Sequence, residues 1–189
     1  FKTKTMKITH VPIAFLAFGS FVLCDLPGQE KKLIEALVQV GAKGKGNEEA
    51  VRSWPAVRKL NASSVPSFLQ AMNKANDLGD NWIRSAISEI LDRDQAGFPE
   101  KEILAFLKAD QNTGSSRKFA FEIIREYKPK LAQSLAPKFI DDREPTLRRL
   151  AVEKLLESAR KAEKPEKSKA LFEKVLSKGR EVDQIKEAK

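Results

Sequence analysis

From Leu33 onward, apolar residues return every three or four positions. Leu33, Ile34, Leu37 and Val38 form the first such stripe, the spacing of one helical face. Further stripes follow at Phe68, Leu69 and Met72, and at Trp82, Ile83, Ala86, Ile87, Ile90 and Leu91. Others run through Ile103–Leu107, through Phe119, Ala120, Ile123, Ile124 and Tyr127, and through Leu131, Leu135 and Phe139. The last occupy 141–159 and then Leu171, Phe172, Val175 and Leu176. No run alternates polar and apolar residues as a strand would. The pattern predicts an all-α chain of about ten helices joined by short turns.

The punctuation between stripes predicts where helices start and stop. Gly41 is placed to cap the first helix, and Asn47 to open the second behind two acids. Pro55 is expected to kink or split that second helix. Asp80 marks the start of the longest apolar stripe, and Pro145 fits the first turn of its own helix.

Three of these helices match in register. Arg84, Ala86, Ile87 and Ile90 align with Arg149, Ala151, Val152 and Leu155, and with Lys118, Ala120 and Ile124. The basic residues lie 34 and then 31 positions apart, and Arg52 lies 32 before Arg84 as a degenerate copy with Trp54 in place of the Ala. A period of this size describes a helix hairpin that cannot bury its stripe alone, so hairpins stack. The small Ala lets its neighbour approach, and the larger apolar residues fill the gap between layers. The basic residue is expected near acids of the preceding turn, such as Asp80 or Asp142.

These segments, Asp80–Ile90 and Leu147–Leu155, resemble the second helix of HEAT repeats, in the short variety named after phycobilisome lyases. The resemblance implies a right-handed α-solenoid, an armadillo-type fold, over 47–158. Residues 25–46 then form an N-terminal helix and loop. Residues 159–189 resemble a tetratricopeptide hairpin, with Ala159, Ala162, Ala170, Phe172 and Leu176 at packing spacing, and the pattern reads as continuing beyond the chain.

The first 24 residues read differently. Lys2, Lys4 and Lys7 precede an apolar run from Val11 to Leu23, then Asp25. A basic flank, a short apolar core and a polar exit are the layout of a bacterial secretory signal peptide. The run is shorter than the roughly 20 residues a membrane span needs. Leu23 before Cys24 departs from the small residue a lipid-anchor site requires, which argues against an anchor there. The reading is therefore an exported protein, periplasmic or extracellular, with no membrane span after cleavage.

Composition changes this picture little. The net charge is +9, but without the first 24 residues 32 basic residues face 26 acidic ones, mostly interleaved along helices. That describes a solvated surface better than a nucleic-acid groove. His10 and Cys24 are the sole His and Cys, so beyond residue 24 no His- or Cys-based nucleophile pair can be assembled.

Two motifs tempt a chemical reading. Gly41–Asn47 is glycine-rich, but a phosphate loop needs Lys-Ser/Thr after its last Gly, where Asn47-Glu48 stands. Asp92, Asp94 and Gly97 fit three positions of a calcium loop, yet Ala96 and Ile103 fall on ligand positions. Asn61-Ala62-Ser63 is a glycosylation sequon of use only in a eukaryotic secretory path. Trp54 and Trp82 read as packing between layers, with a binding groove as the alternative. No metal, cofactor or catalytic set is expected. The function expected is a non-enzymatic scaffold binding a protein or a neighbouring domain. The alternatives are a nucleic-acid-binding HEAT-like protein and a bilin-lyase-like accessory protein, the latter implied by the repeat's namesake alone.

Overall fold

A computed structural model describes residues 27–189. The segment read as a signal peptide, with His10 and Cys24, lies outside the described residues. Among the described residues the chain is all helical: α1 (Pro27–Val38), α2 (Asn47–Val57), α3 (Val65–Met72), α4 (Asp77–Arg93), α5 (Glu100–Lys108), α6 (Gly114–Tyr127), α7 (Pro129–Leu135), α8 (Pro145–Arg160), α9 (Pro165–Lys178) and α10 (Val182–Glu187). Short 3-10 turns cover Ala42–Gly44, Ala62–Ser64 and Ala136–Phe139. No described helix is long and apolar enough to cross a membrane.

The helices pair along the chain: α1 with α2, α3 with α4, α5 with α6, α7 and its 3-10 extension with α8, and α9 with α10. Each pair meets the next through contacts such as α1 with α4, α3 with α5, α6 with α7, and α8 with α9. One large apolar cluster runs from Leu33 to Ala151, and a small one holds Val152, Leu156, Val175 and Ala188. The first helix, in the stretch expected to precede the repeats, belongs to the large cluster through Leu33 and Leu37. The boundary expected after residue 158 falls in the last turn of α8.

Several helix ends differ from expectation. α1 stops at Val38, and Gly41 instead sits in extended backbone, its N–H donating to the Lys45 carbonyl at 2.8 Å. Gly46, not Asn47, is the N-cap of α2; its φ is +75°, and a Cβ there would lie 2.9 Å from the Gln39 carbonyl oxygen, so only Gly fits. Pro55 does not split α2: the helix runs through it and ends soon after, at Val57, so the single bond it removes, to the Val51 carbonyl, lies at the helix end. α4 begins three residues before Asp80, where the Asn76 carboxamide accepts from the N–H groups of Leu78 and Gly79. Its Nδ2 meanwhile donates to the Val40 carbonyl at 2.8 Å. The chain therefore ties the start of α4 to the end of α1 with one side chain. Pro145 does occupy the first turn of α8.

Candidate interaction surface

Among the four basic-led helices, α2, α4, α6 and α8, side chains tie α2 to α4 and α4 to α6, and a groove separates α6 from α8. Between α2 and α4, Trp54 and Trp82 meet edge to face with centroids 5.5 Å apart, and Arg58 pairs with Glu89 at 3.0 Å. Between α4 and α6, the Arg84 guanidinium lies 4.2 Å from the Phe119 ring centroid and 3.4 Å from Glu122. Between α6 and α8, a groove of about 250 Å³ is lined by Phe121, Leu147 and Leu150 and rimmed by Lys118, Arg125 and Arg149. Between α8 and α10, Arg149 pairs with Asp183 and, at 3.8 Å, with Glu181.

Several ties between helices span 31 to 35 residues, while Arg84 to Glu122 spans 38. Arg58 to Glu89 spans 31 residues, Arg84 to Ser115 spans 31, Tyr127 to Asp92 spans 35, and Gln184 to the Arg149 carbonyl spans 35. Backbone groups take part as well: Arg93 donates to the carbonyls of Arg58 and Leu60, and Arg143 to those of Asp110 and Asn112. Buffering of helix ends by guanidinium groups is favourable because the terminal carbonyls have no partner inside their own helix.

The positions read from the sequence as a repeat divide into buried and lateral groups. Ala86, Ile87, Ile90, Ala120, Ile124, Ala151 and Val152 are fully buried. Leu155 is only half-buried; Leu156 is the residue in the core of the small cluster. The two differ by about 100° around the helix axis, and α8 turns its last two turns toward α9 and α10 instead of another broad helix pair. Arg84 does pair with Asp80, at 2.7 Å, but one turn away in its own helix. Arg149 pairs forward, with Asp183, and not with Asp142. Lys118 reaches Glu122 in its own helix at 3.7 Å.

The partner of Asp142 is Arg117, which the register of basic residues passes over. Its guanidinium donates to both carboxylate oxygens, at 2.9 and 2.5 Å, while its Nε donates to the Leu107 carbonyl at 2.8 Å. Arg117 is 3% exposed. A buried ion pair needs such full hydrogen bonding to offset its desolvation. The only sequence signal was a second basic residue beside Lys118, indistinguishable from a solvated one. A second bracket stands on Asn73. Its Oδ1 accepts from the Thr113 N–H at 2.9 Å and the Ser116 hydroxyl at 2.8 Å, and its Nδ2 donates to Asn112 at 2.9 Å.

The calcium-like loop is spent on the fold. One Asp94 oxygen accepts from the Ala62 N–H at 2.9 Å and the other from the Gly97 N–H at 3.1 Å. Asp92 accepts from the Tyr127 hydroxyl at 2.6 Å. Burial, and then that carboxylate, push the Tyr127 phenol above its ordinary range. Among the described residues no group of His, Cys, Asp and Glu could hold a metal ion.

Trp54 and Trp82 answer to both readings. Their rings pack on the core, yet neither is fully buried. Together with Val51, Pro55 and Arg58 they line an open notch of about 470 Å³. No family model matches this chain, and no curated protein or solved structure matches it either.

Proposed function

We propose that the chain is an exported, non-enzymatic binding module, periplasmic or extracellular, built as a HEAT-like α-solenoid. Its partner-binding face is the row formed by α2, α4, α6 and α8. The observation that carries this reading is the set of lateral side-chain ties spanning 31 to 35 residues. Ties of similar span between successive hairpins support a stack in which each unit contacts only its neighbours. A stack of this kind presents a long continuous surface, and here that surface carries the aromatic notch and the apolar groove.

The same ties weigh against a nucleic-acid surface. Arg52, Arg58, Arg84 and Arg149 on this row are all paired with carboxylates. A phosphate backbone is held by unpaired cations that displace its condensed counterions, and these arginines already face carboxylates. A protein partner, which tolerates mixed charge at its rim, fits better.

Site-specific photo-crosslinking in the native host tests the reading. A crosslinker at Val51 or Arg125, on the proposed face, should capture a defined protein. One at Lys74 or Lys108, on the α3 and α5 side, should not. Capture spread evenly over both sides would sink the proposal. The export component is tested separately by the mature N-terminus: mass spectrometry should find it near Asp25.

A further inference from the structure

We infer that the side of the molecule formed by α3, α5 and α7 rests on an anionic phospholipid surface. The two sides handle charge in opposite ways. On the α2–α8 row, Arg52, Arg58, Arg84 and Arg149 all face carboxylates. On the other side stand Lys74, Lys101, Lys108, Lys128, Lys130 and Lys138, every one exposed. The lysines that form ion pairs among the described residues are Lys31, Lys118, Lys154 and Lys178, and none of the six is among them.

Sequence and packing bring the six together. α3 has no carboxylate, and from Tyr127 to Ile140 the chain carries Lys128, Lys130 and Lys138 and no carboxylate. α7 and its 3-10 extension meet α5 at both ends. The Lys128 ammonium lies 5.3 Å from the ring centroid of Phe98, just before α5, and Lys108 and Lys138 line one small cavity at the far end. Lys74 joins them because its neighbour Asn73 donates to Asn112, just beyond α5. The free carboxylates beside these lysines are Glu100, Glu102 and Asp110, so cations outnumber them two to one. Asp141 and Asp142, next to Lys138, are taken by Lys178 and Arg117.

The side-chain type selects the partner. An ammonium on a long flexible stem is a point charge, whereas a guanidinium suits bidentate pairing and stacking. Unpaired lysines spread over three helices match diffuse negative charge, such as a leaflet of anionic headgroups. A nucleic-acid surface would add arginines or aromatic rings for base contact, and these six positions are lysine alone. The choice of lipid over nucleic acid also rests on the export reading above, because an exported protein meets the membrane it has crossed. No described helix is long and apolar enough to cross a membrane, so the contact is peripheral. The long stems carry the charge to the headgroups while the helices stay in water. The α2–α8 row then stays free for a protein partner.

Co-sedimentation with vesicles tests this on the protein purified as its host exports it. Phosphatidylcholine vesicles with about a third phosphatidylglycerol should pull the protein down at low salt and release it as salt rises. Phosphatidylcholine alone should not. Lys128→Gln, Lys130→Gln and Lys138→Gln combined should weaken binding about tenfold to a hundredfold. Lys128→Arg, Lys130→Arg and Lys138→Arg combined should retain it. The control removes the same charge from the α8 and α10 side, where Lys161, Lys186 and Lys189 are exposed. Gln at those three positions should weaken binding by less than about threefold. Equal losses from the two Gln triples would mean that binding follows net charge and not this face, which overturns the inference. So do failure to bind the anionic vesicles, equal binding to the neutral ones, and binding to duplex DNA at a salt concentration where the anionic vesicles fail. A mature N-terminus near Asp25 together with no vesicle binding removes this inference alone and leaves the export reading and the partner face standing.

Discussion

The front and back of the molecule use the same amphipathic stripe with different results. In the front, α5 has nine residues and buries Ile103, Phe106 and Leu107. In the back, α9 has fourteen residues and buries only Val175. Its other stripe residues stay partly open: Leu171 and Phe172 are half-buried, and Leu176 is 41% exposed. The difference lies in neighbours. α5 is covered by α3 on one side and α6 on another, whereas α9 rests on α8 and α10. A stripe in the sequence states what a helix can bury; the apolar surface its neighbours offer, a large cluster around α5 and a small one around α9, decides what it does bury.

The back compensates with surface charge. Arg149, Arg160 and Lys178 hold Asp183, Glu187 and Asp141 across helices. Exposed pairs of this kind contribute about 0–1 kcal/mol each, against about 1.5–3 kcal/mol for a fully buried large apolar side chain. The front should therefore outlast the back in native-state hydrogen exchange, with α9 and α10 opening first.

The largest effect that would break this contrast sits at the buried pair in the front. Arg117→Ala leaves the Asp142 carboxylate buried and unpaired, and should cost about 3–5 kcal/mol in chemical denaturation. A cost below about 1 kcal/mol would mean that water reaches the pair and the front is not closed there. Next come matched leucines. Leu91 and Leu156 are both fully buried, yet Leu91→Ala should lie near the top of the roughly 2–5 kcal/mol range and Leu156→Ala near its bottom, because the open back can relax around the void. Leu155→Ala, at the half-buried position, should cost less than either. Equal costs at Leu91 and Leu156 would erase the distinction between the two clusters.

A smaller effect concerns Gly79, in the first turn of α4. A Cβ there would lie 3.0 Å from the Val38 carbonyl oxygen and 3.1 Å from that of Leu37. Gly→Ala inside a helix ordinarily stabilises by about 0.5–1 kcal/mol. Here it should destabilise by about 1–3 kcal/mol, since both obstacles are backbone. A rise in melting temperature would show that α1 and α4 are not held as closely as described.

The smallest effect is a titration in the back. The Arg149 guanidinium, donating to Asp183, holds that carboxyl down to about 2 from an ordinary 3.8. A depressed folded-state value means the stabilisation is present above about 4 and fades as pH falls toward 2. Exchange at α10 should therefore quicken over that window before the front responds, and Asp183→Asn should abolish the pH dependence there. An α10 that quickens only together with the front would make the two regions one cooperative unit.

Much of the fold was legible because helical stripes are local. The buried repeat positions Ala86, Ile87, Ala120, Ala151 and Val152 follow from spacing alone. Leu155 and Leu156 did not, because adjacent residues on one stripe differ only in which neighbour they face. Lateral partners were the least legible. Arg149 finds Asp183 and Arg117 finds Asp142 through the displacement between hairpins, a quantity set by packing that no single helix encodes. The notch was half legible: two tryptophans stood out in composition, but their exposure depends on what fails to cover them.

The longest sequence separation bridged by any side-chain hydrogen bond among the described residues is 43, between Ser116 and Asn73. Among the described residues, these bonds therefore never join distant parts of the chain, and the entropy of closing each loop stays small. Chains dominated by such short-range closure fold on the fast side, microseconds to milliseconds. The Asn73 bracket, which gathers Asn112, Thr113 and Ser116 around one carboxamide, joins α3 to the start of α6 and is positioned to close early. Assembly would then spread outward from that bracket, reaching α9 and α10 last.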